Sequence, residues 1–272
     1  MTSGGAAVPG WLRQLDAALP GVRGEQLSRF LPPQTGGRHS AVLVLFSDGM
    51  RGGKDGSGND RRGRDLRGRD LPGPDVLLIE RARTMRSHAG QPAFPGGALD
   101  PGDGNPAGDG PVAAALREAT EEVGLDPSTV QVLGALPALW LAPSGFVVHP
   151  VVAWWRDPHP VDVVDPAEVA AVARVPLSEL ADPANRVRVC HPSGWVGPAF
   201  EVSDLLVWGF TAGLLDRLLA LGGWEQPWDA GRVRNLDEET VALALRGATF
   251  PAGRPDFRPG DVSPLTEHQG SS

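Results

Sequence analysis

The chain has 272 residues, a formal net charge of −8, one cysteine and no tyrosine. That length lies between one and two domains, the acidic balance argues against duplex nucleic acid as a main partner, and a single cysteine excludes an internal disulfide and fits a reducing cytoplasm. No apolar run approaches the roughly 20 residues that span a bilayer, no basic stretch with an apolar core opens the chain, and Gln269-Gly270-Ser271-Ser272 carries no peroxisomal address.

Helical spacing is expected over Trp11 to Leu19, with a further turn or two over Gln26 to Leu31, so residues 1–40 read as an N-terminal helical segment. Ala41 to Phe46 is a short apolar run ending in Ser-Asp-Gly, which suits a buried strand. Residues 51–75 carry six Arg and one Lys against five Asp and almost no apolar side chains, and are expected to form a disordered loop. Val76 to Glu80 is the next strand. Val130 to Leu141 and Phe146 to Trp155 are expected to pair as a hairpin around Ala142-Pro143-Ser144-Gly145.

Leu177 to Leu180 starts a short helix and Val187 to Cys190 suits a strand. Leu205 to Leu221 is apolar almost all round, as in a buried helix ended by Gly222. Residues 223–272 turn polar and rich in Pro and Gly, and are expected to be largely loose apart from a helix near Leu236 to Leu245. Interleaved strands and helices predict an α/β layered domain.

The chemistry concentrates at Arg117-Glu118-Ala119-Thr120-Glu121-Glu122-Val123-Gly124. On a helix, Glu118, Glu121 and Glu122 stand i, i+3, i+4, about 5–6 Å apart at Cβ. Repulsion on that face suits a cluster of hard oxygen ligands for Mg²⁺ or Mn²⁺. Asp109 is a candidate cap, Pro111 suits the first turn and Gly124 the left-handed end. Phe94-Pro95-Gly96-Gly97 lets backbone approach closely.

This segment resembles the Nudix box: Gly97, an acid after five residues, then Arg117-Glu118, Glu121-Glu122 and Gly124-Leu125. The first acid is Asp103 by distance from Gly97, or Asp109 by distance from Arg117, with Gly104 to Asp109 as a six-residue insertion. Residues 77–97 are similar to the signature of coenzyme A diphosphatases, matching at Leu77, Leu78, Arg81, Arg86, Gly90 and Phe94-Pro95-Gly96-Gly97. Ile79 and Ala82 replace its Thr and Ser. The likeness covers roughly residues 40 to 222.

The resemblance implies a Nudix fold over residues 41–222, a mixed sheet between helices. It also implies metal-dependent cleavage of coenzyme A or its derivatives to 3′-phosphoadenosine 5′-phosphate and 4′-phosphopantetheine. Metal ligands would be Glu118, Glu121, Glu122 and the Gly97 carbonyl, with Arg117 fixing a glutamate by charge-assisted bonding. Glu118 and Glu168 are both candidates for the base. Arg81, Arg86 and His88 are candidates for substrate binding. Cys190-His191 lacks partners at zinc spacing and reads as an inert thiol.

Two other readings stay open. One keeps the enzyme and changes the substrate to ADP-ribose, NADH or a modified nucleoside triphosphate. The other is a catalytically silent nucleotide sensor, whose usual sign, loss of the helical glutamates, is not seen. The partner is expected to be a small nucleotide, with neither nucleic acid nor membrane; a homodimer is left open.

Overall fold

The computed structural model describes residues 7–49, 73–85, 88–141, 144–192 and 194–245. The expectation for 51–75 therefore falls, up to residue 72, outside the described residues. Two short helices come first, α1 (Arg13–Ala18) and α2 (Gly24–Leu27), each flanked by tight turns. Then follow β1 (Arg38–Ser47), β2 (Asp75–Arg81), β3 (Pro92–Ala93), β4 (Gly96–Ala98) and helix α3 (Gly110–Val123). The middle of the chain forms β5 (Val130–Ala135), β6 (Leu139–Leu141), β7 (Phe146–Trp155), β8 (Val169–Pro176) and α4 (Leu177–Ala181). The remainder forms β9 (Arg186–Cys190), β10 (Val196–Val202), β11 (Leu205–Val207), α5 (Gly209–Leu221), β12 (Val233–Asn235) and α6 (Glu238–Leu245).

The larger sheet has eight strands and runs β3-β2-β1-β7-β5, with β4 on β1, β6 on β7 and β8 on β2. It is mixed: β1 and β7 run parallel over ten residues, Arg38 opposite Phe146 through Ser47 opposite Trp155, while the other pairs are antiparallel. Side chains alternate across it. Leu43 and Leu45 of β1 join Ala114, Ala115 and Ala119 of α3 on one face. Val44 and Phe46 face Leu12, Leu15, Leu214 and Leu218 of the N-terminal helices and α5. This is the expected α/β sandwich. The second sheet, β11-β10-β9-β12, has four strands and packs on α5.

Several expectations need correction. Residues 205–221 do not form one helix. Ser203 and Asp204 take φ of 48° and 65° and turn β10 back as β11, and the helix starts only at Gly209. Ser and Asp tolerate this left-handed region better than bulky residues. The hairpin partner of β7 is split in two, because Leu136-Pro137-Ala138 interrupts it and proline cannot donate to a ladder. Val169–Pro176, for which no element was expected, is a full strand on β2. Residues 223–245 are less loose than expected: β12 runs parallel to β9, and Leu236 and Val241 pack on Val187, Val189 and Ala199. Residues 246–272 lie outside the described residues.

One buried cation ties the second sheet to α5. Arg186 is 0% exposed, lies between the rings of Phe200 (5.2 Å) and Trp228 (4.6 Å), and pairs with Asp216 and, at 3.4 Å, Glu225. Removing one partner of such a pair strands the charge in low dielectric. Asp216→Ala is expected to destabilise by about 3 kcal/mol, read from urea unfolding; a loss near zero would show that Glu225 and the rings suffice.

A second polar pair lies across β1 and β7, where His39 Nδ1 and His149 Nε2 stand 2.9 Å apart. Burial, and then the charge of His39, lower the His149 pKa to about 4. The folded state thus holds fewer protons than the unfolded state between about pH 4 and the ordinary histidine value near 6.5, so stability rises with pH across that window. The urea midpoint is expected to fall as pH drops from about 6.5 towards 4, and His149→Gln to flatten that slope.

Candidate functional site

Helix α3 can approach the sheet closely because Ala114, Ala115 and Ala119 are fully buried and small. Pro111 sits in its first turn, and Gly124 ends it at φ 72°, its N–H bonded to Thr120 O at 3.0 Å. Asp109 occupies the cap position, but its side chain makes no cap hydrogen bond. The close approach brings the acidic end of α3 against β4. Gly96, at φ 156°, donates its N–H to Glu122 Oε2 at 2.9 Å. The Glu118 carboxylate lies so near Gly97 that a Cβ there would stand 2.4 Å from it.

The three glutamates diverge in environment. Glu122 is 1% exposed, and its Oε1 has no hydrogen-bond partner. Burial pushes its pKa up to about 8, against the pull of the Gly96 N–H and the Arg81 charge. Glu118 is half-buried and also raised, chiefly by burial, with Arg117 opposing. Glu121 is 59% exposed and turned to Arg117. Convergence of all three carboxylates is therefore not met, and among the described residues no three acidic, histidine or cysteine groups stand close enough to hold a metal ion. Arg117 Nη1 holds both Glu118 and Glu121 at 3.0 Å, while Glu122 is turned to the Gly96 N–H.

Arg117 is itself fixed from the other side. Asp103 accepts from its Nε and Nη2, both at 3.0 Å, and Ala98 O accepts at 3.1 Å. Those bonds drive the Asp103 pKa down and hold Arg117 firmly protonated. Of the two candidate first acids, the structure thus brings Asp103 into the constellation and leaves Asp109 outside it.

Glu168 stands in the turn before β8, its carbonyl accepting from Ala82 N–H at 2.7 Å. It is near enough that its charge helps raise both Glu118 and Glu122. Arg81, at the end of β2, has a buried Nε without a hydrogen-bond partner and lies close enough to pull on Glu122. His88 takes φ 55°, points Nδ1 at Gln91 Oε1 (3.1 Å), and has its pKa lowered by burial and by Arg81. Arg86 lies outside the described residues. Cys190 is half-buried, its Sγ 3.7 Å from the His191 carbonyl.

Hard oxygens suit a divalent cation. The unpartnered Glu122 Oε1, the half-buried Glu118 and the close Gly97 backbone form a fitting donor set. Sequence reasoning missed Gln91 and the C-terminal residues 237–243 near the same loop. No local signal marks them, since their closeness arises only from how α6 packs.

A paired-glutamate helix against a double-glycine strand on a mixed sheet defines the class, and the comparisons agree. The NUDIX domain family model matches residues 66–190. The chain belongs to the Nudix family: it is a hydrolase of acid anhydrides, of a kind that binds nucleotide-derived substrates and generally uses divalent metal ions. Among its relatives is the uncharacterized Nudix hydrolase NudL of Cronobacter sakazakii (strain ATCC BAA-894), 41% identical over 164 residues, covering 57% of this chain and 78% of that protein. NudL of Escherichia coli (strain K12) is 38% identical over 152 residues, covering 53% of this chain and 73% of that one. A solved Nudix hydrolase from M. smegmatis, RenU, overlays with a TM-score of 0.42 at 18% identity, covering 74% of this chain and 98% of RenU; an overlay that loose carries no argument.

The two glycines should separate fold from site. A Cβ on Gly96 would meet Ala41 O at 2.2 Å, a backbone clash, whereas the three atoms nearest one on Gly97 all belong to the flexible end of the Glu118 side chain. Gly96→Ala is expected to lower the melting temperature. Gly97→Ala should leave melting nearly unchanged and lower kcat by about a hundredfold, the cost of moving a reacting group by about 1 Å.

Proposed function

We propose that the substrate is coenzyme A or its acyl and oxidised derivatives, cut at the diphosphate to 3′-phosphoadenosine 5′-phosphate and 4′-phosphopantetheine, with Mg²⁺ or Mn²⁺ as the cation. The observation that carries the site is the buried Glu122 carboxylate, one oxygen on Gly96 N–H and the other without a partner, beside Glu118 at Gly97. Glu118, Glu122, the Gly97 carbonyl and, after rotation, Glu121 would hold the cation. Held by those residues, a divalent cation would neutralise diphosphate oxygens and acidify a water. Arg117 keeps Glu118 in place through its Asp103 clasp. Glu118 or Glu168 receives the water's proton; the two are near one another, and each has an oxygen chemistry suited to it. Arg81 and His88 meet the substrate's phosphates from the β2 side, and Arg86 belongs to the same proposal.

The substrate reading is supported by the signature matches at Leu77, Leu78, Arg81, Gly90 and Phe94. Ile79 and Ala82, which lack the signature's hydroxyls, are 0% and 5% exposed. Those positions face the core, so the changes bear on packing more than on ligand contact. A cytoplasmic location goes with this proposal and is supported by the lone cysteine.

The test is a substrate panel of coenzyme A, ADP-ribose, NADH and nucleoside triphosphates with Mg²⁺ or Mn²⁺, the products separated by chromatography. Coenzyme A is expected to be cleaved fastest. Glu122→Gln should lower kcat by about 10²–10³, and chelation should abolish turnover. Rapid turnover of ADP-ribose with coenzyme A intact overturns the substrate; metal binding without turnover of any compound favours a sensor.

A further inference from the structure

A cavity of about 290 Å³ lies between residues 89–91 and α6, near the lower end of the roughly 300–1,000 Å³ usual for ligand sites. None of Glu118, Glu121, Glu122 or Glu168 lines it. Its floor is nonetheless bonded to the site: Gly90 N–H donates to Arg81 O, and Arg81 N–H to Gln91 O, both at 3.0 Å. The same Arg81 carries the charge that acts on Glu122. A ligand whose diphosphate meets Arg81 therefore has this cavity within one loop of it.

The wall chemistry restricts what can enter. Arg83 is engaged by Glu239 at 3.0 Å, and Asp237 is held by the Thr240 N–H (2.7 Å) and hydroxyl (2.8 Å). Two carboxylates against one guanidinium leave the lining one negative charge in excess. A phosphate would meet repulsion there. Gln91, whose Oε1 faces His88, adds an amide, and Leu243 adds an apolar wall opposite Gly90. Amide, carboxylate and hydroxyl groups beside an aliphatic side chain suit an uncharged chain carrying amides and hydroxyls.

We propose that this cavity is the subsite for such a chain: it takes the pantetheine end of coenzyme A and leaves the phosphorylated adenosine end outside. The assignment rests on the coenzyme A reading and deepens it. It makes α6 a specificity element contributed by the C-terminal segment.

The test titrates the full chain with panthenol and pantothenate, two forms of the same chain that differ by one negative charge, using ligand-observed NMR. Wild type is expected to bind panthenol the more tightly. Leu243→Trp, which fills the cavity, should weaken panthenol by about tenfold. Glu239→Lys, at an exposed position, should shrink the preference for panthenol by about threefold, and it serves where Leu243→Trp fails to fold by circular dichroism. No binding of panthenol to wild type, equal affinity for the two probes, or indifference to a folded Leu243→Trp overturns the subsite. Coenzyme A turnover is measured separately. Cleavage with no Leu243→Trp effect on panthenol sinks the subsite alone. Panthenol binding that Leu243→Trp weakens, without cleavage of coenzyme A, sinks the substrate reading and leaves a neutral-chain site.

Discussion

The constraint that governs this site is how closely a helix is allowed to come to a strand. Two glycines on β4 and three fully buried alanines on α3 leave no side chain to hold the backbones apart. Glu118 and Glu122 are thereby carried into a space where water is scarce. That scarcity, rather than simple repulsion between neighbours, is the leading cause of the raised pKa values of Glu118 and Glu122. An acid so placed favours either a proton or a cation close by.

Arg117 balances that tendency. It lies between the acids and Asp103, and divides its five donors among carboxylates on both sides and one backbone carbonyl. It keeps Glu121 outside and Glu118 inside. One glutamate, Glu122, is seated against backbone at Gly96, and another, Glu121, is held by the arginine at the surface.

Much of this was legible in the chain. The spacing of Glu118 and Glu122, the helix end at Gly124 and the double glycine at 96–97 each depend on local rules, and each stands where the sequence put it. What could not be read depended on distant partners. Glu121 shares a helix face with Glu118 by periodicity, yet one arginine redirects it. Val169–Pro176 mixes three alanines with three valines, and its strand form is fixed by pairing with β2. Leu205–Val207 merges with the next helix in any apolar count, and only the left-handed pair Ser203-Asp204 separates them. The strand at Val233–Asn235 is exposed along its length and owes its form to β9.

The insertion ahead of α3 has its own meaning. Gly104 to Asp109 curls on Asn105, whose carbonyl accepts from Gly108 and Gly110 and whose side chain accepts from Ala107. Asp103 and Arg117 clasp each other across its base. The bulge is thus mechanically insulated, like a buckle with slack strap beyond it: a fluorescent or affinity label spliced there would ride on the surface without tugging the acids out of alignment.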